Sequence, residues 1–349
     1  MQKLLRSLFV ICIGCCCFLS AYMPLLFHRP TSIKTLNIFT WGDFFPEEIF
    51  QKFTQIHHIK LNVTYYASNE ELIAKLEKTG GRGYDIIFPS DYAIPILQKK
   101  NLLAPLDKNH LYFLAHLDPL LLNHSFDPGN QFSLPYAWEV YGFLHNSPRT
   151  PSWKNLFEDQ LFIVMVEDPI EAICFTIHYL YGHNTILSNE QKKQIIHTLR
   201  DQKKRVKAYT NYMSHHFLSS HTPFLSIIRS SSFFKNIHQI QRHPNAKFEL
   251  PKGPVFISIE NVAISKECAF LDAAYKFINL IYQPEIMAKQ INAFPLFPSI
   301  PYCLKWSNIS SLDEYCQLLH TMQFHSYIFF NSRSLSEEEV KKLWIMIKS

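Results

Sequence analysis

The chain has 349 residues, 47% of them apolar and 15% aromatic, with a net charge of +5 and only 9 glycines. That length and apolar content suggest about two domains with sizeable cores, well outside the disordered regime. Glycine falls far below its usual share of about 7%; neither G-x-G-x-x-G nor G-x-x-x-x-G-K-[ST] occurs, which argues against both nucleotide-binding classes, and the scattered lysines and arginines give no support to nucleic-acid binding.

Residues 1–30 differ from the rest. Lys3 and Arg6 precede an uncharged apolar stretch from Leu8 to Phe27, the order of an export signal. The stretch is also long enough to cross a bilayer. Ile13-Gly14-Cys15 is similar to the end of a bacterial lipoprotein signal, although Cys12 stands where leucine is usual. Cleavage, lipid anchoring and a retained anchor are all open for this segment.

From Leu36 onward strand and helix signals alternate. "LNIFTW" reads as a strand, and "PEEIFQKFTQI" as a helix with Pro46 in its first turn and Ile49, Phe50, Phe53 and Ile56 on one face. "IKLNVTYYA" is a second strand. Ser68-Asn69-Glu70-Glu71 reads as a capping box that opens a helix through Lys78. "TGGRG" then breaks the chain before a third strand, "YDIIFP". This order predicts a largely parallel sheet flanked by helices, with ligands beyond the carboxyl ends of its strands.

The alternation restarts with "LFIVMVE", a helix from about Pro169 to Tyr181 and another from Ser188 to about Lys204. "RVKAYT", "TPFLSIIR", "AKFELP" and "VFISIENVAIS" read as strands. "ECAFLDAAYKFINLIYQ", "PEIMAKQIN" and the closing "SEEEVKKLWIMIK" read as helices. Cys174 and Cys268 fit small buried hydrophobes, whereas Cys303 and Cys316 are close enough in sequence to pair in an oxidising compartment. No H-E-x-x-H or zinc-type Cys–His spacing occurs, so neither a metal nor a cofactor is expected.

Strand ends collect the polar candidates. Trp41 and Asp43 follow the first strand, Ser90, Asp91 and Tyr92 follow the third, and Asp168 and Glu171 follow "LFIVMVE". Asp168 and Glu171 also suit a helix start, where the macrodipole favours acids. Glu260 lies inside an apolar strand, and an unpaired buried carboxylate is costly, so it must find a partner or a cavity. No G-x-S-x-G elbow is present. A hydrolase using Asp168 and Glu171 as paired acids is the enzyme alternative; no enzyme activity is expected.

In order along the chain, "FTWGDFFP", "YASNEELIAKLE", "GYDIIFPSDY", "LDKNHL", "SFDPGNQFSLPYAW", "SWKNLF" and "IYQPEIMAKQIN" resemble the polyamine-binding periplasmic proteins of ABC importers, the spermidine/putrescine-binding type. The resemblance covers about Leu36 to Phe297. It implies an α/β fold, the two-lobed type II periplasmic binding protein, with each lobe a mixed, largely parallel sheet between helices. Lobe 1 would comprise 31–138 and 260–305, and lobe 2 139–259 and 306–349. Crossovers would fall near Tyr136 to Tyr141 and Ser258 to Asn261. It also implies a monomeric periplasmic protein that closes on a polyamine and delivers it to the permease subunits in the inner membrane.

Carried over by resemblance, the ligand-binding residues are Trp41, Asp43, Phe44, Ser90, Tyr92, Asp168, Glu171, Glu260 and Phe294. Phe44 and Phe294 would be aromatic walls without the family's tyrosine hydroxyl. Arg229 and Ser258 replace wall tryptophans. An arginine in a cation site repels the ligand unless it pairs with Asp168, Glu171 or Glu260. Unpaired, it favours a different ligand, amino acid-like or another organic cation, on the same fold. Ferric-iron binders of related fold group tyrosines as ligands, but Tyr65 and Tyr66 are adjacent in a strand and point to opposite faces.

Overall fold

Among the described residues eleven strands, numbered β1 to β11 in chain order, form one mixed sheet in the order β2-β1-β3-β9-β4-β7-β5-β6, with β8 and β10 also pairing β4 and β11 pairing β9. The computed structural model describes residues 34–349 except 43, 183–185, 211–217, 219–221, 310, 313–315, 317–318, 320–326 and 331–334. The N-terminal segment 1–30 and Asp43 therefore lie outside the described residues.

The first end of the sheet is built from β1 (Thr35–Trp41), α1 (Glu47–His57), β2 (Lys60–Tyr66), α2 (Asn69–Thr79), β3 (Ile86–Ile87) and α3 (Ile94–Lys99). β1 and β3 run parallel, as the alternation predicts. Ile49, Phe50 and Phe53 form the buried stripe of α1. Ser68 caps α2 by accepting the Glu71 N–H; the Glu71 carboxylate reaches back to the Ala67 N–H instead of closing the box on Ser68. β3 is shorter than "YDIIFP" predicts, because Pro89, two residues past its end, has no N–H for the ladder and the Phe88 carbonyl between them is taken by the Tyr66 hydroxyl.

Two long strands join the ends of the sheet. β4 (Ser133–His145) is buried at every position. Its first part, Ser133–Val140, pairs with the later strand β9 (Val255–Ile264). From Tyr141 onward β4 pairs with β7 (Phe224–Arg229) and, from Phe143, with β8 (Lys247–Glu249). The sequence reading did not assign β4, because a strand buried on both faces shows no alternation.

The second end carries α4 (Trp153–Glu158), β5 (Phe162–Met165), α5 (Pro169–Tyr181), α6 (Asn189–Lys203), β6 (Val206–Tyr209), α7 (Ser230–Lys235) and α8 (Ile237–Ile240). β5 is parallel to both β6 and β7. α9 (Leu271–Ile281), α10 (Pro284–Ala293), β10 (Phe297–Pro298), β11 (Tyr327–Phe329) and α11 (Glu337–Lys348) complete the chain. α9 starts four residues later than its apolar pattern suggests. The Ala269 N–H is held by the Asp85 carboxylate, and the Cys268 N–H by the Ser265 carbonyl.

Three apolar cores result. Phe39, Tyr66, Leu72, Leu76, Ile87 and Leu97 pack on one face of the first end. A larger core containing Phe53, Phe88, Tyr136, Trp138 and Phe277 lies on the other side and extends to Phe233 and Phe248. Tyr141, Trp153, Phe175, Phe256 and Phe330 centre the third, at the second end. Cys303 is a free thiol, so the expected pairing of Cys303 with Cys316 is not formed.

Candidate functional site

Strand parity puts the site on one face of the two joining strands. Successive side chains alternate between faces, and residues opposite one another across a pair share a face. Glu139 is opposite Ser258, Ala137 is opposite Glu260, and Tyr141 is opposite Arg229. Glu139, Tyr141, Ser258, Glu260 and Arg229 therefore project together, beside the C-terminal ends of β1, β3 and β5.

Glu260 is 6% exposed and meets only neutral donors. Its Oε1 accepts the Ser90 hydroxyl at 2.8 Å, and its Oε2 accepts the Trp41 indole N–H at 2.8 Å. Ser90 is itself fixed by Asn69 at the start of α2, which donates to the Ser90 hydroxyl at 3.0 Å and accepts its N–H at 3.1 Å. The Trp41 ring leans on Tyr66, with centroids 4.6 Å apart. Burial pushes the Glu260 carboxyl up to about 7; the Ser90 bond opposes this, the Glu139 charge adds to it, and Trp41 and Arg229 pull it back. Next to it Asp91 is 1% exposed, with neither carboxylate oxygen in a hydrogen bond. Burial and the Glu260 charge hold its carboxyl well above the usual range.

A second group of acids meets a cation. Asp168 caps α5, accepting the N–H of Ile170 at 2.7 Å and of Glu171 at 3.3 Å. Glu171 Oε1 accepts the Tyr141 hydroxyl at 2.6 Å and pairs with Arg229 Nη2, while its buried Oε2 has no partner. Burial raises the Glu171 carboxyl to about 7 despite the Arg229 charge, and Asp168 adds to the rise. Arg229 Nη1 also lies 3.5 Å from Glu139 Oε1, and the guanidinium sits 5.7 Å from the Tyr141 ring centroid. Burial disfavours the Arg229 charge, but Glu171, Tyr141, Glu139 and Asp168 outweigh it and hold the group well above its ordinary value. Glu139 is 3% exposed and accepts the Ser231 hydroxyl as well.

Tyr92 links the two ends of the sheet. It follows β3, yet it packs against the Tyr141 core of the second end. Its hydroxyl donates to Glu70 Oε1 at 3.1 Å. Burial raises the Glu70 carboxyl, the N-terminal backbone of α2 opposes this, and the Asp168 charge raises it further. Glu70 and Asp168 thus act on each other across the site.

Of the residues taken from the sequence, Trp41, Ser90, Tyr92, Asp168, Glu171, Arg229, Ser258 and Glu260 come together here. Phe44 does not form an open wall. It is 1% exposed and packs among Phe45, Phe88 and Tyr136. Phe294 is half-buried against Phe44, with the Lys235 ammonium 5.8 Å from its ring centroid. Glu70, Glu139 and Tyr141 were missed. Glu139 carried a usable signal, a carboxylate in the otherwise apolar and aromatic run "YAWEVYGF", the same argument that singled out Glu260. Among the described residues no group of acids, histidines and cysteines could hold a metal ion, and no helix is long and apolar enough to cross a membrane.

Known proteins resemble this chain over most of its length. It is 26% identical over 271 residues to the spermidine/putrescine-binding periplasmic protein of Salmonella typhimurium, covering 74% of this chain and 75% of that one. It is also 26% identical over 282 residues to the putrescine-binding periplasmic protein SpuD of Pseudomonas aeruginosa, covering 73% and 76%. The crystal structure of the spermidine/putrescine substrate-binding protein PotD of Streptococcus pneumoniae shares the fold, with a TM-score of 0.74 at 22% identity over 90% of this chain and 98% of that one. The TpPotD lipoprotein of Treponema pallidum does so as well, with a TM-score of 0.74 at 19% identity over 90% and 99%. The fold is therefore the two-lobed α/β fold of periplasmic binding proteins. The sequence pattern of one family matches residues 48–311, and the chain belongs to that family, the bacterial extracellular solute-binding proteins.

Proposed function

We propose that this protein is the substrate-binding subunit of an ABC importer and captures a linear polyamine of the putrescine/spermidine class outside the inner membrane. The observation that carries the reading is the charge imbalance of the site. Glu70, Asp91, Glu139, Asp168, Glu171 and Glu260 gather on or beside one sheet face, and Arg229 is the guanidinium among them. The Glu260 carboxyl, raised to about 7 by burial and met only by neutral donors, is an acid whose ionised form lacks a sufficient counter-charge, which a bound ammonium would provide.

Each charged hydrogen bond contributes roughly 1.5–3 kcal/mol, and a desolvated cation over an aromatic face adds about 2 kcal/mol. Trp41 and Tyr92 supply such faces beside the acids. Several contacts of this kind in a closed cleft outweigh the cost of ordering a flexible ligand. An amino acid-like ligand would need a free guanidinium for its carboxylate, whereas two Arg229 nitrogens are turned to Glu139 and Glu171. The relatives bear the names of binding proteins, in keeping with capture and release without turnover.

In this reading 31–138 with 260–305 form one lobe and 139–259 with 306–349 the other, hinged where β4 and β9 pass between them. The protein works as a monomer, and residues 1–30 direct its export. Thermal-shift titration with putrescine, spermidine and arginine tests the reading. Saturable stabilisation by an amine, lost in Glu260→Gln, supports it; a response to arginine alone contradicts it.

A further inference from the structure

The described acids of the site fall into three places. Glu260 and Asp91 form the first. Glu260 is met by the Ser90 hydroxyl and the Trp41 N–H, both neutral, and the Asp91 oxygens, 1% exposed with their residue, make no hydrogen bond. Glu70 and Asp168 form the second, held by the Tyr92 hydroxyl and by the backbone N–H groups that open α5. The third is Glu139 with Glu171, and among the described residues only here does a cation sit between the acids: Arg229, with one nitrogen toward each. Among the described residues, no lysine, arginine or histidine forms an ion pair with the acids of the first two places.

We propose that Arg229 is a built-in occupant of one of three ammonium positions, so that the protein selects linear diamines over triamines and tetramines. The inference rests on the polyamine reading above and assigns its ligand class. A planar guanidinium that faces two carboxylates at once and lies over Tyr141 is held as an ammonium of the ligand would be. Two acidic places then remain, matching the two charges of a diamine. A third ammonium on a longer chain would meet Arg229, and like charges at contact distance oppose binding.

Calorimetric titration of the full chain, purified in mild detergent, with putrescine, spermidine and spermine tests the assignment. The wild type is expected to bind putrescine at least tenfold more tightly than spermidine. Arg229→Gln vacates the third place and is expected to move the spermidine-to-putrescine affinity ratio at least tenfold toward spermidine. Arg229→Lys keeps a cation there and the wild-type order. A wild type that prefers spermidine tenfold overturns the inference, and it does so even if Arg229→Gln cannot be recovered folded. A folded Arg229→Gln variant with an unchanged ratio overturns it while leaving the polyamine reading intact. If the wild type binds no amine at all, that reading fails as well.

Discussion

The indole N–H of Trp41 donates to Glu260 Oε2 at 2.8 Å, across 219 residues of sequence. One residue ends the first strand of the sheet and the other lies in β9, one of the two strands that join its ends. The bond explains why an indole stands at a strand tip. It orients a carboxylate that has no cation of its own, and it presents an aromatic face beside that carboxylate.

Removing either partner should separate charge from orientation. Glu260→Gln keeps the volume and removes the charge that receives an ammonium, so putrescine affinity should fall about 10- to 100-fold, the equivalent of one charged hydrogen bond. Trp41→Phe keeps a ring and loses only the N–H; affinity should fall less than in Glu260→Gln. Equal effects, or none, in calorimetric titration would place the ligand elsewhere.

Much of this arrangement was legible in the sequence, for identifiable reasons. β1, α1, β2 and α2 follow from period and capping, and Glu260 stood out because a carboxylate in an apolar strand needs a partner. Glu139 obeyed the same rule but sat in β4, where burial on both faces erases the alternation that marks a strand. The ion pairs of Arg229 depend on register, Tyr141 opposite Arg229 and Glu139 opposite Ser258, and register between distant strands is set by tertiary packing. Phe44 was misplaced for a related reason: whether a residue after a strand faces core or cleft depends on the turn that follows.

Affinity should depend on pH in a defined direction. Burial holds the Glu260 and Glu171 carboxyls at about 7 in the folded protein, against about 4.3 in an unfolded chain. Between those values the folded state binds more protons, so their contribution to stability is complete below the unfolded value and is lost as pH rises through 7. A bound cation favours the ionised form, so ligand binding expels protons. The thermal shift produced by putrescine should therefore be larger at pH 8 than at pH 5.5. An identical shift at both would show that the Glu260 carboxyl does not face the ligand.

Asp168 has two roles that a substitution can divide. It caps α5 through two backbone N–H groups, and asparagine caps a helix about as well as aspartate. Asp168→Asn should leave stability within about 0.5 kcal/mol, since no other large-effect mechanism is engaged. It should nevertheless weaken amine binding by removing a charge from the Glu70 side of the cleft. Chemical denaturation together with titration checks both halves of the expectation.

Gly142 offers a control on the sheet face opposite to Tyr141 and Arg229. A Cβ there would lie 2.5 Å from the Phe248 ring and 3.1 Å from the Glu249 carbonyl oxygen. Phe248 is stacked on Phe233 at 4.5 Å and has little room to retreat. Gly142→Ala should cost about 1–3 kcal/mol, the usual range for overpacking, and leave the order of amine preference unchanged. Denaturant midpoints and a ligand panel on the folded fraction read out the two effects.

The most direct test of the central claim, that this cleft takes a linear polyamine, is calorimetric titration of the wild-type protein with putrescine and spermidine at pH 8 and moderate salt. The account predicts saturable one-to-one binding of at least one of them. Absence of heat and of thermal stabilisation with both, in protein shown to be folded, would contradict it.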